Sequence, residues 1–213
     1  MRTDRSERRR EARRERRERV ERLAETMVAP EVPLVWGAGW GARATAAVWC
    51  VVFVVLADLP AGASLAHPQP GPLISALWSS LIVGWLCSWL ALWRITADRD
   101  GVYIRRLWST RFLSWSTISR VEMRHDGQLE FFGPERPGKE PMVGLFSPPW
   151  LSRVVRRSGR RGLAAADTLT AMARHSHLRP TAQAERALIG SGLARWAVAL
   201  AAGLYVAAAF LHR

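Results

Sequence analysis

The stretch that decides the fold is RITADRDGVYIRRLWSTRFLSWSTISRVEMRHDGQLEFF, residues 94–132. Two dipeptides in it, Asp100-Gly101 and Asp126-Gly127, are typical of tight hairpins, because glycine accepts the positive φ that such turns require. After Arg120, apolar and polar residues alternate with the period of a half-buried strand. The segment Trp115–Ile118 interrupts the alternation and predicts a one-turn kink between two strands. The stretch therefore predicts a small antiparallel β domain.

The same stretch resembles a known family. Thr96–Arg105 (TADRDGVYIR) followed by Leu113–Val121 (LSWSTISRV) is similar to the bacterial PH-like domains of actinobacterial membrane proteins, of the type named after a low-molecular-weight protein antigen. In that family a glycine closes the first hairpin and a Trp-Ser/Thr-x-Ile step leads into the next strand. The matching, fold-determining positions here are Gly101, Trp115 and Ile118. The resemblance implies two packed antiparallel sheets capped by a C-terminal helix, and it implies no catalytic residues.

Charged and apolar residues are segregated along the chain. The composition is 49% hydrophobic and 23% charged, and no Lys or Arg occurs from Ala44 to Trp93. We therefore predict integral membrane α-helical spans joined to the small β-rich domain. The two cysteines, Cys50 and Cys87, lie in apolar runs, so no disulfide framework or zinc-ligand spacing is present and no cofactor is expected.

Three segments are predicted to span a membrane, at residues 44–66, 73–93 and 190–211. The second is the strongest, with an uncharged run of the length that a bilayer requires. Asp58 lies at the far end of the first span, where an acid is expected to be solvated rather than functional. Small residues recur every four positions in the second and third spans and would permit close helix contact. That ridge is read either as a homodimer contact through the second span or as packing against the first span of the same chain; its members are Ala76, Ser80, Gly84, Ser88, Ala199, Gly203 and Ala207.

Residues 1–25 form an Arg/Glu-rich tail with pairs such as Glu15 and Arg19 that favour a helix. Apolar anchors are nearly absent from this tail. Two interpretations remain open: a basic arm that binds an anionic surface, or a solvated, partly helical signal for membrane orientation. Residues 26–43 are predicted to be a Pro/Gly linker whose Trp36 and Trp40 anchor it at the membrane interface.

The predicted PH-like domain occupies residues 94–180 and ends in a capping helix over 164–175. Before that helix, basic residues crowd within nine positions with no acid among them, and this is the best patch for anionic lipid headgroups. Its alternative interpretation is a solvated loop. These lipid-facing candidates are Arg153, Arg156, Arg157, Arg160 and Arg161. His175 and His177 lack further ligand partners, so no metal site is predicted.

Basic residues are concentrated before the first and between the second and third predicted spans. By the positive-inside rule, the N-terminus and the β domain are expected in the cytoplasm and the C-terminus outside, in a multi-pass protein of the cell membrane.

The sequence contains no nucleophile elbow, HExxH, P-loop or GxGxxG motif, so no enzyme is predicted. The preferred function is a non-catalytic, membrane-anchored PH-like module at the cytoplasmic face, for an unknown protein partner, for anionic lipid, or for both. Nucleic-acid binding is an alternative suggested by the net charge of +13, and a membrane enzyme or transporter subunit is another. Nucleic acid is not an expected partner, because the aromatic residues lie mainly in the apolar runs.

Overall fold

The computed structural model describes residues 2–56, 70–124, 128–134, 142–145, 156–190 and 192–211. They divide into two compact units. The first, here called the β unit, contains Met1–Trp36, Ile95–Ile104 and Arg111–Gly190. The second, here called the helical unit, contains Gly37–Arg94, Arg105–Thr110 and Ser191–Arg213. The chain therefore passes repeatedly between the two units.

The strands form two sheets. The first sheet has the order β1-β2-β3-β4 and the second has the order β5-β6-β7. The strands are β1 (Leu34–Gly37), β2 (Arg94–Ala97), β3 (Gly101–Arg105), β4 (Thr110–Ser114), β5 (Arg120–Met123), β6 (Gln128–Phe132) and β7 (Met142–Leu145).

The register of β5 and β6 confirms the predicted alternation. Val121 is opposite Phe131 and Met123 is opposite Leu129 in an antiparallel pair. Val121 and Leu129 are fully buried, as the apolar face of a half-buried strand should be. The predicted kink is also confirmed, because Trp115–Thr117 forms one turn of 3-10 helix between β4 and β5.

The sequence missed the first strand. Four residues within the predicted Pro/Gly linker form β1, which is the first strand of the four-stranded sheet. Between β1 and β2 the chain makes the two apolar helices of the helical unit. The prolines around residues 30 and 33 resemble a linker, and a four-residue strand is too short to show a clear period.

The helices are α1 (Arg2–Thr26), α2 (Trp40–Leu56), α3 (Pro70–Leu92), α4 (Arg156–Arg174), α5 (Arg186–Ile189) and α6 (Ala194–Leu211). In the β unit, α4 packs on β5 and α1 packs on α4. In the helical unit, α2, α3 and α6 pack on one another.

The capping helix is longer than predicted, because it begins at Arg156 rather than near residue 164. Its buried face includes Ala166, Leu169 and Met172, whereas Leu163 of the predicted stripe is half exposed. Thr170 joins the helix to β5: its hydroxyl accepts from the Val121 amide (3.0 Å) and lies 3.2 Å from the Val121 carbonyl oxygen.

The prediction of several membrane spans is wrong. Among the described residues, only Ile74–Leu92 of α3 is long and apolar enough to cross a membrane, and a buried core helix can meet the same two criteria. The apolar parts of the other two helices are shorter, Trp40–Val55 in α2 and Ala194–Ala207 in α6. At 1.5 Å per residue the latter rises only about 21 Å, against roughly 30 Å of hydrocarbon. The membrane orientation that was inferred from three crossings stays a prediction. The rest of the predicted first span, with Asp58, lies outside the described residues.

A buried carboxylate organises the β2–β3 hairpin. Asp98 is 1% exposed, and its Oδ1 accepts from the amides of Asp100 (2.9 Å) and Gly101 (3.0 Å). Its Oδ2 accepts from the Ala184 amide at 2.9 Å, which binds the segment after α4 to the hairpin. The indole of Trp115 donates to the Asp98 carbonyl oxygen at 2.9 Å.

Gly101 is required by close approach and not by the positive φ that the sequence suggested. Gly190 is the one glycine with positive φ in the described part of the chain. A Cβ at Gly101 would collide with the Leu113 carbonyl oxygen and would lie 2.7 Å from the Phe112 ring. The absence of a side chain therefore lets β4 pass against β3 at this point. Gly127 of the second predicted turn lies outside the described residues.

We expect Gly101→Ala to lower the free energy of unfolding of the β unit by about 2 kcal/mol or more, because the new methyl group would force β4 away from β3. Chemical denaturation followed by tryptophan fluorescence would measure this loss. Gly39→Ala is the matched control, since a Cβ there meets nothing within 4 Å. Equal stability of the two variants would contradict the close-approach explanation.

Candidate functional site

The candidate sites in the described part of the chain are two charged surfaces. No group of three or more His, Cys, Asp or Glu that could hold a metal ion occurs among them. The ring of His175 lies beside that of His177, with 5.8 Å between ring centroids. His175 Nε2 also lies 3.4 Å from a carboxylate oxygen of Glu21, so this histidine belongs to a contact with α1.

The predicted lipid-facing arginines lie mostly at the start of α4. Arg156, Arg157, Arg160 and Arg161 fall in its first two turns. Arg161 is exposed. Arg153 lies outside the described residues. The structure thus places four of the five candidates on a single helix.

The Arg/Glu-rich N-terminal segment is a helix docked on the β unit. Arg16 lies at the centre of the contact: its Nε donates to Asp167 Oδ1 on α4 at 3.0 Å. Its two terminal nitrogens reach Glu122 and the carbonyl oxygen of Val121 on β5. One guanidinium therefore joins α1 to both α4 and β5, in the multidentate manner that arginine permits.

Further contacts extend this docking along α1. Val20 is only 2% exposed and is the apolar anchor of the helix. On either side of Val20, Arg19 Nε lies 3.7 Å from Asp167 Oδ2, and Glu21 Oε1 lies 3.6 Å from Arg174 Nη1. Glu21 of α1 thus meets the basic end of α4, while Arg16 and Arg19 meet Asp167.

The docking covers the edge strand of the second sheet. β5 has a sheet neighbour only on the β6 side. On its other side, the Val121 amide donates to the Thr170 hydroxyl, and Arg16 donates to the Val121 carbonyl oxygen. Side chains from α1 and α4 therefore occupy hydrogen-bonding positions that a further strand would otherwise take.

A second surface lies at one end of the helical unit, where the start of α2, the end of α3 and the start of α6 meet. The Ala38 amide donates to the Trp93 carbonyl oxygen at 3.3 Å. The amides of Leu193 and Ala194 donate to the carbonyl oxygens of Arg106 (3.0 Å) and Leu107 (2.7 Å), in the turn between β3 and β4. We call this end the Arg–Trp rim; its residues are Trp40, Arg43, Arg94, Arg105, Arg106, Trp108, Arg195 and Trp196.

The Arg–Trp rim is basic and aromatic. Trp40 is 85% exposed, Trp108 is 83% exposed and Trp196 is 47% exposed. The helical unit has no acidic residue in its described part, because Asp58 is its sole acid. Burial lowers the pKa of Arg105, and the neighbouring charges of Arg94 and Arg195 lower it further. Arginine side chains stay protonated in proteins, so the rim carries positive charge.

The sides of the helical unit expose large apolar residues. They come from all three helices, and each is more than 40% exposed: Val48, Trp49, Val51, Val55, Ile74, Leu77, Trp78, Ile82, Trp85, Leu86, Val198 and Val206. Apolar surface of this extent is typical of a membrane or protein contact.

The predicted ridge of small residues is used within the chain. Ala76, Ser80 and Ser88 of α3 are buried. A Cβ at Gly84 would lie 2.8 Å from the Ala197 carbonyl oxygen of α6, so α3 contacts α6 closely here. The other part of the ridge does not share this contact: Ala199 and Gly203 are exposed and Ala207 is half-buried.

The sequence indicated some of these features and missed others. The sequence indicated that Trp40 lies at a membrane interface and that basic residues flank the apolar runs. The exposed Trp108 lies in the short basic turn that the sequence indicated, but nothing in the sequence singled it out. The docking of α1 was missed, because Val20 alone is too little apolar signal. Arg16 and Asp167 are 151 positions apart in the sequence.

Comparisons with protein-family models, with curated proteins and with solved structures find no match to this chain.

We expect Arg16→Ala to loosen α1, since it removes a hydrogen-bonded ion pair and a bond to β5. The loss of about 1–2 kcal/mol would speed amide hydrogen exchange across residues 14–26 about five- to thirtyfold. Arg17→Ala removes the same charge from an exposed position and is the control. If the two variants exchanged equally fast, the docking would not depend on Arg16.

Gly84→Ala should destabilise the helical unit by about 1–3 kcal/mol, because the added methyl group meets backbone atoms of α6. Gly203→Ala should be neutral or stabilise by up to about 1 kcal/mol, since nothing lies within 4 Å and alanine favours a helix. Thermal unfolding followed by the helical circular dichroism signal would compare them. A larger loss at Gly203 would instead indicate that a partner covers that face.

Proposed function

We propose that this chain is a non-catalytic, membrane-associated interaction module. Its helical unit attaches it to a lipid bilayer, and its β unit presents a PH-like surface to a protein partner. Contact with anionic lipid headgroups contributes to the attachment. The proposal needs no more than one helix that crosses the bilayer.

The observation that carries the proposal is the exposed apolar surface of the helical unit. Large side chains such as Val51, Trp78 and Val198 face outward there, whereas a water-soluble bundle would place polar residues at most of these positions. Covering this surface with lipid removes it from water, at roughly 25 cal/mol per Å². Membrane attachment therefore accounts for residues that a soluble fold would not favour.

The arrangement of the β unit supports the PH-like part of the proposal. A four-stranded sheet, a three-stranded sheet and then a helix follow in the order that the family resemblance implies. The resembling positions also have structural roles: Gly101 permits the approach of β4, Trp115 binds Asp98, and Ile118 is buried. A module of this kind acts by binding, which agrees with the two charged surfaces described above.

The protein-partner part of the proposal rests on the docked helix α1. A surface formed by β5 and α4 already holds α1, a strongly charged helix with almost no apolar face. The contact is made through Arg16 and Val20. The same surface is therefore suited to helices that alternate basic and acidic residues.

The test is flotation of the full chain with neutral phosphatidylcholine vesicles. We expect the chain to float with them and to stay bound in about 1 M salt, because apolar burial is not screened. The combined variant Val51→Ser/Trp78→Ser/Val198→Ser should bind much more weakly, by about 1 kcal/mol for each side chain.

The control is Val28→Ser/Val32→Ser, which replaces exposed apolar residues of the β unit. It should float like the wild type. A wild-type chain that stays out of both neutral and anionic vesicles would overturn the proposed membrane association.

A further inference from the structure

We propose that Arg94, Arg105 and Arg195 form a binding site for the phosphate group of an anionic lipid headgroup, with Trp108 beside it as the interfacial side chain. This inference rests on the proposed membrane association and deepens it. It assigns the headgroup contact to the Arg–Trp rim rather than to the basic start of α4 that the sequence suggested.

The first step is the convergence of three chain segments. Arg105 donates from Nη1 to the Leu92 carbonyl oxygen at 3.3 Å, which holds its side chain against the end of α3, two residues before Arg94. The Leu193 and Ala194 amides bind the β3–β4 turn and bring the start of α6, with Arg195, to the same place. These contacts thus bring Arg94, Arg105 and Arg195, which are distant in sequence, to one end of the helical unit.

The positive charges at this end of the helical unit favour an anionic ligand. The charges of Arg94 and Arg195 act on Arg105, which is partly removed from water, and both effects disfavour its charged form. A phosphate would offset this repulsion, and planar guanidinium groups bind phosphate oxygens with paired hydrogen bonds.

The third step is the position of Trp108. Its side chain is 83% exposed at the turn where the Arg106 amide donates to the Ser109 carbonyl oxygen. Gly192 allows α6 to approach this turn, since a Cβ there would lie 2.7 Å from the Leu107 carbonyl oxygen. An indole beside cationic side chains is typical of the headgroup region of a membrane.

The source of the phosphate follows from the surroundings. A nucleic-acid site would also combine arginine with exposed aromatic rings. Here, however, the rim belongs to a unit whose sides expose apolar residues from α2, α3 and α6. A lipid satisfies both features at once, because its phosphate meets the rim and its acyl chains cover the apolar sides.

The experiment compares full-chain binding to phosphatidylcholine vesicles and to mixed phosphatidylcholine–phosphatidylglycerol vesicles. The wild type should prefer the anionic vesicles. Arg94→Gln/Arg105→Gln/Arg195→Gln should lose that preference, by about fivefold for each arginine, and keep its binding to neutral vesicles. The control Arg14→Gln/Arg17→Gln/Arg22→Gln removes the same charge from exposed positions of α1 and should keep the preference.

Two further variants keep the test decisive if the triple variant fails to fold. Arg195→Gln alone changes an exposed side chain whose guanidinium packs over Trp196, 5.2 Å from its ring centroid, and should lose about fivefold. Arg105→Lys keeps the charge but cannot form paired hydrogen bonds with phosphate, so this variant should keep only part of the wild-type preference for anionic vesicles.

Four binding results would contradict the proposal in different ways. Equal loss in the rim and α1 variants would reduce the effect to net charge and overturn the site. Inorganic phosphate that displaces the chain from anionic vesicles at low concentration would make free phosphate the ligand. Duplex or single-stranded DNA that binds more tightly than the anionic vesicles would replace lipid with nucleic acid. Failure to bind any vesicle would instead overturn the membrane association itself.

Discussion

The β unit depends on the burial of one carboxylate. Asp98 is enclosed at the β2–β3 hairpin and receives backbone amides from the hairpin itself and from Ala184. A buried charge is costly unless hydrogen bonds replace its water, and here three amides do so. The segment after α4 must therefore return to the hairpin, and the Thr96 hydroxyl extends the contact by donating to the Leu188 carbonyl oxygen at 3.1 Å. Trp115, which lies at the junction between the two sheets, joins this cluster because its indole donates to the Asp98 carbonyl oxygen.

Around this cluster, the chain uses arginine in three distinct ways. Arg179 donates to the carbonyl oxygens of Met172 (3.1 Å) and Ala173 (3.4 Å), so it caps the end of α4 against Trp115. Arg16 joins α1 to an edge strand. The rim arginines face the surroundings of the helical unit. The net charge of +13 is therefore a sum of structural and surface charges, and a single polycationic patch would be a poor description of it.

Local patterns in the sequence predicted local structure well. The alternation after Arg120, the turn at Asp100-Gly101 and the kink at Trp115 are all present, because each depends on neighbours within a few residues. The role of Gly101 was assigned to the wrong cause, since the approach of Leu113 is a contact between strands and leaves no trace in the dipeptide.

Features that depend on distant pairs could not be predicted from one sequence. The strand β1 is separated from β2 by α2 and α3, and its four residues carry no period of their own. The docking of α1 rests on Val20 and Arg16, which resemble any residues of a charged helix. The Arg–Trp rim is likewise assembled from four separate segments. Its members are visible one by one, but their common position follows from the backbone bonds between the β3–β4 turn and α6.

The docking of α1 sets an order of events during synthesis. Arg16 leaves the ribosome 151 residues before Asp167, its partner on α4. At 5–20 residues per second, that interval is roughly 8–30 s. During it, the first helix must remain soluble without its docking surface, while the apolar segments of α2 and α3 emerge behind it. Its dense mixture of arginine and glutamate suits this wait, because internal ion pairs sustain a solvated helix with almost no apolar surface to aggregate.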